Sequence, residues 1–173
     1  ALAMPPGLAL FSVSERAFMR AEQIEGRGYY FDFLEFRSNH AKGMTPSTPV
    51  IPLIHALNYT LKKIFDEGVE NRHQRHSRLN QLVHKWAEGH GFELLPQKQF
   101  ASKSLTCLRN NLDIDLAGFV KTLRESKKIS IDGGYGKIKG KTFRVSNMGD
   151  ETDESINHLL SSMDEVLEQF LPA

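Results

Sequence analysis

The sequence holds a single cysteine, Cys107, so an internal disulfide is excluded. Cys107 sits in the apolar run Leu105-Thr106-Cys107-Leu108, where a buried strand position is a commoner fate than a reactive thiol. Charge of one sign is scarce too. Basic residues number 22 and acidic residues 21, and a net charge of +1 is too small to imply nucleic acid or an anionic membrane as partner. Apolar runs stay short of the roughly 18 residues that a membrane-spanning helix requires. The basic-then-apolar opening of a secretory leader is missing, which says nothing of a longer parent chain. Internal repeats and low-complexity stretches are missing as well. What is present is ordinary for a soluble globular protein: 40% hydrophobic and 25% charged over 173 residues, enough for a domain with a real core. A reducing, cytoplasmic setting fits the lone cysteine.

The chain opens on a Pro5-Pro6-Gly7 turn and runs into Leu8–Val13, short, apolar and bounded by Gly7 and Ser14, which predicts a buried strand. Ser14 can cap a helix to Ile24 with Phe18, Ala21 and Ile24 on one face. Tyr29–Phe36 is dense in aromatics, and a packed core is the commoner outcome of such density than a site for a planar ligand. In Gly43–Pro49, Pro46 and Pro49 keep the preceding residues out of helix. Pro49 fits the first turn of the next helix, with Thr48 as its cap and Gly68 at its end. A further helix from about Asn71 to Glu88 carries the stripe Leu79, Leu82, Val83 and Trp86.

Beyond Gly91 the order is strand, strand, helix, strand, strand, helix, which predicts a small α/β layer. The strands are Phe92–Leu95, Leu105–Leu108, Ile129–Ile131 and Thr142–Ser146. Asp113 can cap the helix bearing Leu116, Phe119, Val120 and Leu123, and the last helix carries a stripe from Ile156 to Phe170.

Two stretches invite chemistry. Thr45, Ser47 and Thr48 gather hydroxyls just before a helix whose first N–H groups lack internal partners, a ready anion site. On the residues alone, capping by Thr48 is the simpler account. Arg144 stands inside an apolar strand, where its charge needs a partner; a ligand carboxylate and an internal Asp or Glu serve equally well. The loop Gly133-Gly134-Tyr135-Gly136 with Gly140-Lys141-Thr142 fails as a phosphate loop. Three residues instead of four separate Gly136 from Gly140, and a strand follows where that motif needs a helix. A mobile loop at a pocket edge suits it better. The run Arg72–Arg78 includes His73 and His76 at metal-compatible spacing but no third ligand nearby, so a solvated helix face is expected.

Ala1–Ser14, Met44–Leu57 and Gly133–Gly149 together resemble the class V aminotransferases, pyridoxal phosphate enzymes of fold type I, in the alanine–glyoxylate and serine–pyruvate branch. The resemblance covers essentially the whole chain and implies an α/β fold. Residues 1–67 would be the end of the large cofactor-binding domain with its linking helix, and 68–173 the small C-terminal domain. It places the lysine that bonds pyridoxal 5'-phosphate immediately before Ala1, so this segment alone would hold no catalytic residue. It implies that Ser47, with Thr48 and Thr45, reaches the cofactor phosphate of the other subunit in a homodimer. Met44 departs from the family, which has an aromatic residue or Gln there, and Thr45 can take over that contact. Arg144 would hold the substrate carboxylate. The implied reaction moves an amino group between an amino acid and a 2-oxo acid. Phosphoserine aminotransferases and cysteine desulfurases share the fold, and a catalytically dead dimerisation homologue is the alternative from another class. A desulfurase fits poorly, because it needs a mobile cysteine and Cys107 lies in a strand.

Overall fold

A computed structural model describes residues 2–171. Ala1, and with it the position where the lysine is expected, lies outside the described residues. The chain divides into two units, Met4–Thr60 and Leu61–Ala173 with Ala1–Ala3.

In the first unit, helix α1 (Glu15–Glu22) starts where the Ser14 hydroxyl accepts the Ala17 N–H, as the sequence predicts. Helix α2 (Phe33–His40) starts at Asp32, whose carboxylate accepts the Leu34 N–H and an N–H of Arg27. Two expectations fail here. Leu8–Val13 forms no strand, because no described segment offers it the N–H and C=O ladder that a strand requires. The aromatic stretch is not core: Tyr29, Tyr30 and Phe31 are 76%, 63% and 79% exposed. The rings of Phe33 and Phe36 meet Phe11, and those of Tyr30 and Phe31 meet each other edge to face.

Helix α3 (Ile51–Glu67) begins two residues later than predicted. A helix capped by Thr48 would need the Pro52 N–H as the first donor to the Thr48 carbonyl, and proline has none. The first bonds run instead from Leu53 and Ile54 to the Val50 carbonyl. Pro52 then occupies the first turn, where a missing N–H is harmless. Gly68 ends α3 at φ +85°, in the region open to glycine, and helix α4 (Val69–Gly89) follows directly.

The second unit is a three-stranded antiparallel sheet with helices packed on it. Strand β1 (Leu105–Arg109) is followed by helix α5 (Leu116–Thr122), strand β2 (Asp132–Gly133), strand β3 (Thr142–Ser146) and helix α6 (Asp153–Leu167), in the sheet order β1-β3-β2. The predicted strand Phe92–Leu95 reduces to a bridge between Leu94 and Leu108. The predicted pairing at Ile129–Ile131 occurs at Asp132–Gly133. Asp115, and not Asp113, caps α5 by accepting the Gly118 N–H; Asp113 is in the left-handed region at φ +53°. Thr152 and Ser155 cap α6 reciprocally.

Pleating sorts the sheet into two faces. Thr106 and Leu108 of β1 pair with Val145 and Phe143 of β3, all buried. They meet Leu79 and Val83 of α4, Phe119 of α5, and Ile156, Met163 and Val166 of α6 in one core. Each such side chain contributes about 1.5–3 kcal/mol of transfer free energy. The opposite face carries Cys107, Asp132 and Arg144 side by side, since Arg144 is the register partner of both others. Cys107 is therefore half-buried instead of buried.

Candidate active site

Strand β3 places Arg144 on the outward face, and three contacts hold its guanidinium. Nη2 donates to the Asp132 carboxylate, Nε donates to the Gly133 carbonyl at 3.1 Å, and the Tyr135 ring lies 4.7 Å from its central carbon. Asp132 thus supplies the charge partner that an arginine in a strand needs. The pair is not entombed: the Arg144 side chain is 24% exposed and that of Asp132 59%. Both line a cleft of about 450 Å³ with Leu105, Arg124, Ser146 and Met148. The Tyr135 hydroxyl donates to Asp132 at 2.8 Å, and this bond, more than the neighbouring Arg144 charge, holds the Asp132 carboxyl below its ordinary range against partial burial.

The glycine loop is closed by backbone hydrogen bonds. The Gly134 N–H donates to the Thr142 carbonyl and the Ile138 N–H to the Tyr135 carbonyl. A Cβ on Gly134 would stand 2.3 Å from the Ile138 carbonyl oxygen, so only glycine fits. Asp132 and Tyr135 were not singled out from sequence. The predicted strand Ile129–Ile131 stops one residue short of the register that sets Asp132 opposite Arg144.

In the other unit, Thr45, Ser47 and Thr48 line a cavity of about 510 Å³ with Gly7, Phe11 and Tyr30. The predicted helix-end donors are largely spent. Ile51, Leu53 and Ile54 donate their N–H groups to the Pro49 and Val50 carbonyls, and Pro52 has none. Thr45 donates its hydroxyl to the Ser47 carbonyl at 2.6 Å. Ser47 and Thr48 are exposed, so their hydroxyls remain the donors that an anion can reach. They fit a phosphate as neutral contributors. The cavity lining holds no lysine or arginine, so the charge of a dianion would have to be met by residues beyond it.

The basic run is the solvated face expected only in part: His73 and Arg78 are exposed, while Arg72, Arg75 and His76 are turned to other partners. Arg72, 8% exposed, bonds to Glu67, Asp150 and the Gly149 carbonyl. Arg75 bonds to Glu67 and the Glu151 carbonyl, and His76 Nδ1 to the Asn147 carbonyl. These contacts fasten α4 to the turn before α6. Among the described residues no group of three or more His, Cys, Asp or Glu could hold a metal ion, and no helix is long and apolar enough to cross a membrane.

No protein-family model matches the chain. It is 35% identical over 150 residues to an uncharacterised aminotransferase of Methanocaldococcus jannaschii, covering 86% of this chain and 39% of that one. It is 27% identical over 161 residues to a serine–glyoxylate aminotransferase of Methylorubrum extorquens, covering 90% and 40%. The crystal structure of an alanine–glyoxylate aminotransferase from Nostoc sp. superposes with a TM-score of 0.82 at 26% identity, over 90% of this chain and 42% of that one. The chain thus spans about two fifths of the length of these relatives.

Proposed function

The chain is a relative of the class V aminotransferases and shares their α/β fold, and from that premise we propose that it forms part of a pyridoxal-phosphate-dependent transaminase. The reaction moves an amino group from a donor such as alanine, serine or aspartate to a 2-oxo acid such as glyoxylate or pyruvate. The observation that carries this reading is Arg144, held at the edge of an open cleft with part of its guanidinium unspent. A planar fork of donors suits the carboxylate that both substrates share.

Residues 1–67 would close the large cofactor-binding domain and 68–173 form the small one. Ser47 and Thr48, with Thr45 shaping the turn, would donate hydrogen bonds to the cofactor phosphate of the partner subunit in a homodimer. The bound cofactor serves as an electron sink that eases loss of the substrate Cα proton. Arg144 would anchor the carboxylate, orient the Cα–H bond and leave the amino group free. A cytoplasmic setting belongs to the same proposal and rests on the lone Cys107.

Two measurements on the full-length protein test the proposal. Borohydride reduction and peptide mass spectrometry should find a phosphopyridoxyl lysine immediately before Ala1-Leu2-Ala3-Met4. Serine or aspartate with glyoxylate or pyruvate, and alanine with glyoxylate, should give the corresponding amino acid and 2-oxo acid. An unmodified peptide, or no exchange with the cofactor supplied, overturns the reading.

A further inference from the structure

The outward face of the sheet contains more than an arginine. Asp132 lies directly across from Arg144 in the β2–β3 register, and Gly133 follows it. The Asp132 carboxylate takes Nη2 and the Gly133 carbonyl takes Nε, so consecutive residues of one strand occupy consecutive donors along one side of the guanidinium. The Tyr135 ring covers one face. Nη1 makes no hydrogen bond among the described residues. Asp132 is itself fixed twice, by the Tyr135 hydroxyl on Oδ2 at 2.8 Å and the Gly133 N–H on Oδ1 at 2.9 Å. Tyr135 is held by a loop in which Gly134 fits without room for a side chain.

From this closed set of contacts we propose that Asp132 and Tyr135 are positioning residues for substrate recognition: they lock the Arg144 guanidinium by one side and one face and leave its Nη1 end for the substrate carboxylate. The proposal rests on the reading of Arg144 as the carboxylate anchor. An arginine with five donors and a flexible stem gains most from being held in one rotamer before the ligand arrives. Competition between Asp132 and the substrate is the opposing expectation, and two observations weigh against it. The Asp132 side chain is 59% exposed, so water screens its charge. Arg124 lines the same cleft, which leaves the lining with two cations against one carboxylate.

The test uses the full-length holoenzyme and the variants Asp132→Asn, Tyr135→Phe, Arg144→Lys and Asp132→Asn/Arg144→Lys. Three quantities are read: KM and kcat for alanine, calorimetric affinity for propionate (an unreactive carboxylate), and melting temperature. Asp132→Asn should raise the alanine KM and the propionate Kd together by about tenfold, with a smaller change in kcat and little change in melting temperature. Tyr135→Phe keeps the ring but loses the hydroxyl, and should shift both in the same direction by less. In the Arg144→Lys background the effect of Asp132→Asn should vanish, because the group being positioned is gone. A lower KM and Kd in Asp132→Asn would mean that Asp132 competes, and would overturn the proposal. So would a lower melting temperature with unchanged KM and Kd. If Arg144→Lys alone leaves KM and Kd unchanged, the anchor assignment itself falls, and that result is distinct from the other two.

Discussion

A charged side chain at the edge of a sheet is judged by what its removal leaves behind. Deleting Arg144 would leave Asp132 with most of its carboxylate in water, so the stability cost should be small. If Arg144 anchors a substrate carboxylate, the cost falls on catalysis. Arg144→Ala should lower kcat/KM for amino-acid donors by about 2–5 kcal/mol, or roughly 30- to several-thousand-fold, and Arg144→Lys should lose much of the same. Unchanged kcat/KM with a reduced melting temperature would return Arg144 to a structural role. On the transaminase reading, Ser47 is the corresponding residue on the cofactor side. Ser47→Ala should weaken retention of the phosphate group by about 1.5–3 kcal/mol, the worth of a hydrogen bond to a charged acceptor. Dialysis followed by cofactor titration measures it, and retention equal to that of the parent protein would remove Ser47 from the site. Arg144 stands out in the sequence as a charge inside an apolar strand, whereas Ser47 is singled out only by the resemblance to the aminotransferases. Asp132 and Tyr135 do not stand out, because an exposed acid and a loop tyrosine look ordinary until the register brings them to Arg144.

Among the elements, α4 and α6 were the most legible, since their apolar stripes bury Leu79, Val83, Ile156, Met163 and Val166 where the periodicity places them. The basic face of α4 was misread in part, at Arg72, Arg75 and His76, because several of their acceptors lie far off in sequence in the turn Asn147–Glu151, while Glu67 is close by. That fastening gives a pH dependence with a definite sign. Hydrogen bonding by Arg75 holds the Glu67 carboxyl below its ordinary range, and Lys63 does the same for Asp150. A depressed carboxyl contributes stability that is present above its unfolded pKa and lost as pH falls through its folded value. Burial holds the His76 imidazole below its ordinary value. The unfolded chain takes that proton near pH 6.5 while the folded one resists, so this contribution too is lost on acidification. Melting temperature should therefore be level above about pH 7, sag from about pH 6.5 and fall more steeply through the carboxylate range. Glu67→Gln should lower the melting temperature at neutral pH and flatten the acid limb. An acid limb of unchanged steepness in that variant would show that this cluster does not fasten α4.

For the molecule as a whole, the two units differ in how they hide apolar surface. Leu61 onward encloses a shared core built from both sheet and helices. Between Met4 and Thr60 only Ala21 and Thr60 are buried, while Leu10, Phe11, Met19, Tyr29, Tyr30 and Phe31 are more than half exposed. On the transaminase reading, so much exposed apolar surface is a face that other protein covers. The failed strand Leu8–Val13 tells the same story: it has a strand's composition and no described neighbour to pair with. The sequence could not reveal this, because hydrophobic pattern reports what is to be buried and not which chain buries it. On the transaminase reading, the covering surfaces are the rest of the large domain and the second subunit. The consequence is uneven protection when these 173 residues are expressed alone. Trypsin should cut first at Arg16, Arg20, Arg27, Arg37 and Lys42, and leave a resistant fragment beginning near Leu61. Local opening should need little free energy in a segment with two buried residues and much more where the core is closed. In the full-length dimer the same early sites should become resistant, and sedimentation should show a species of twice the subunit mass. Equal resistance of both segments in the isolated polypeptide would mean that Met4–Thr60 stands on its own packing, and the exposed aromatics would then lose their claim to an interface.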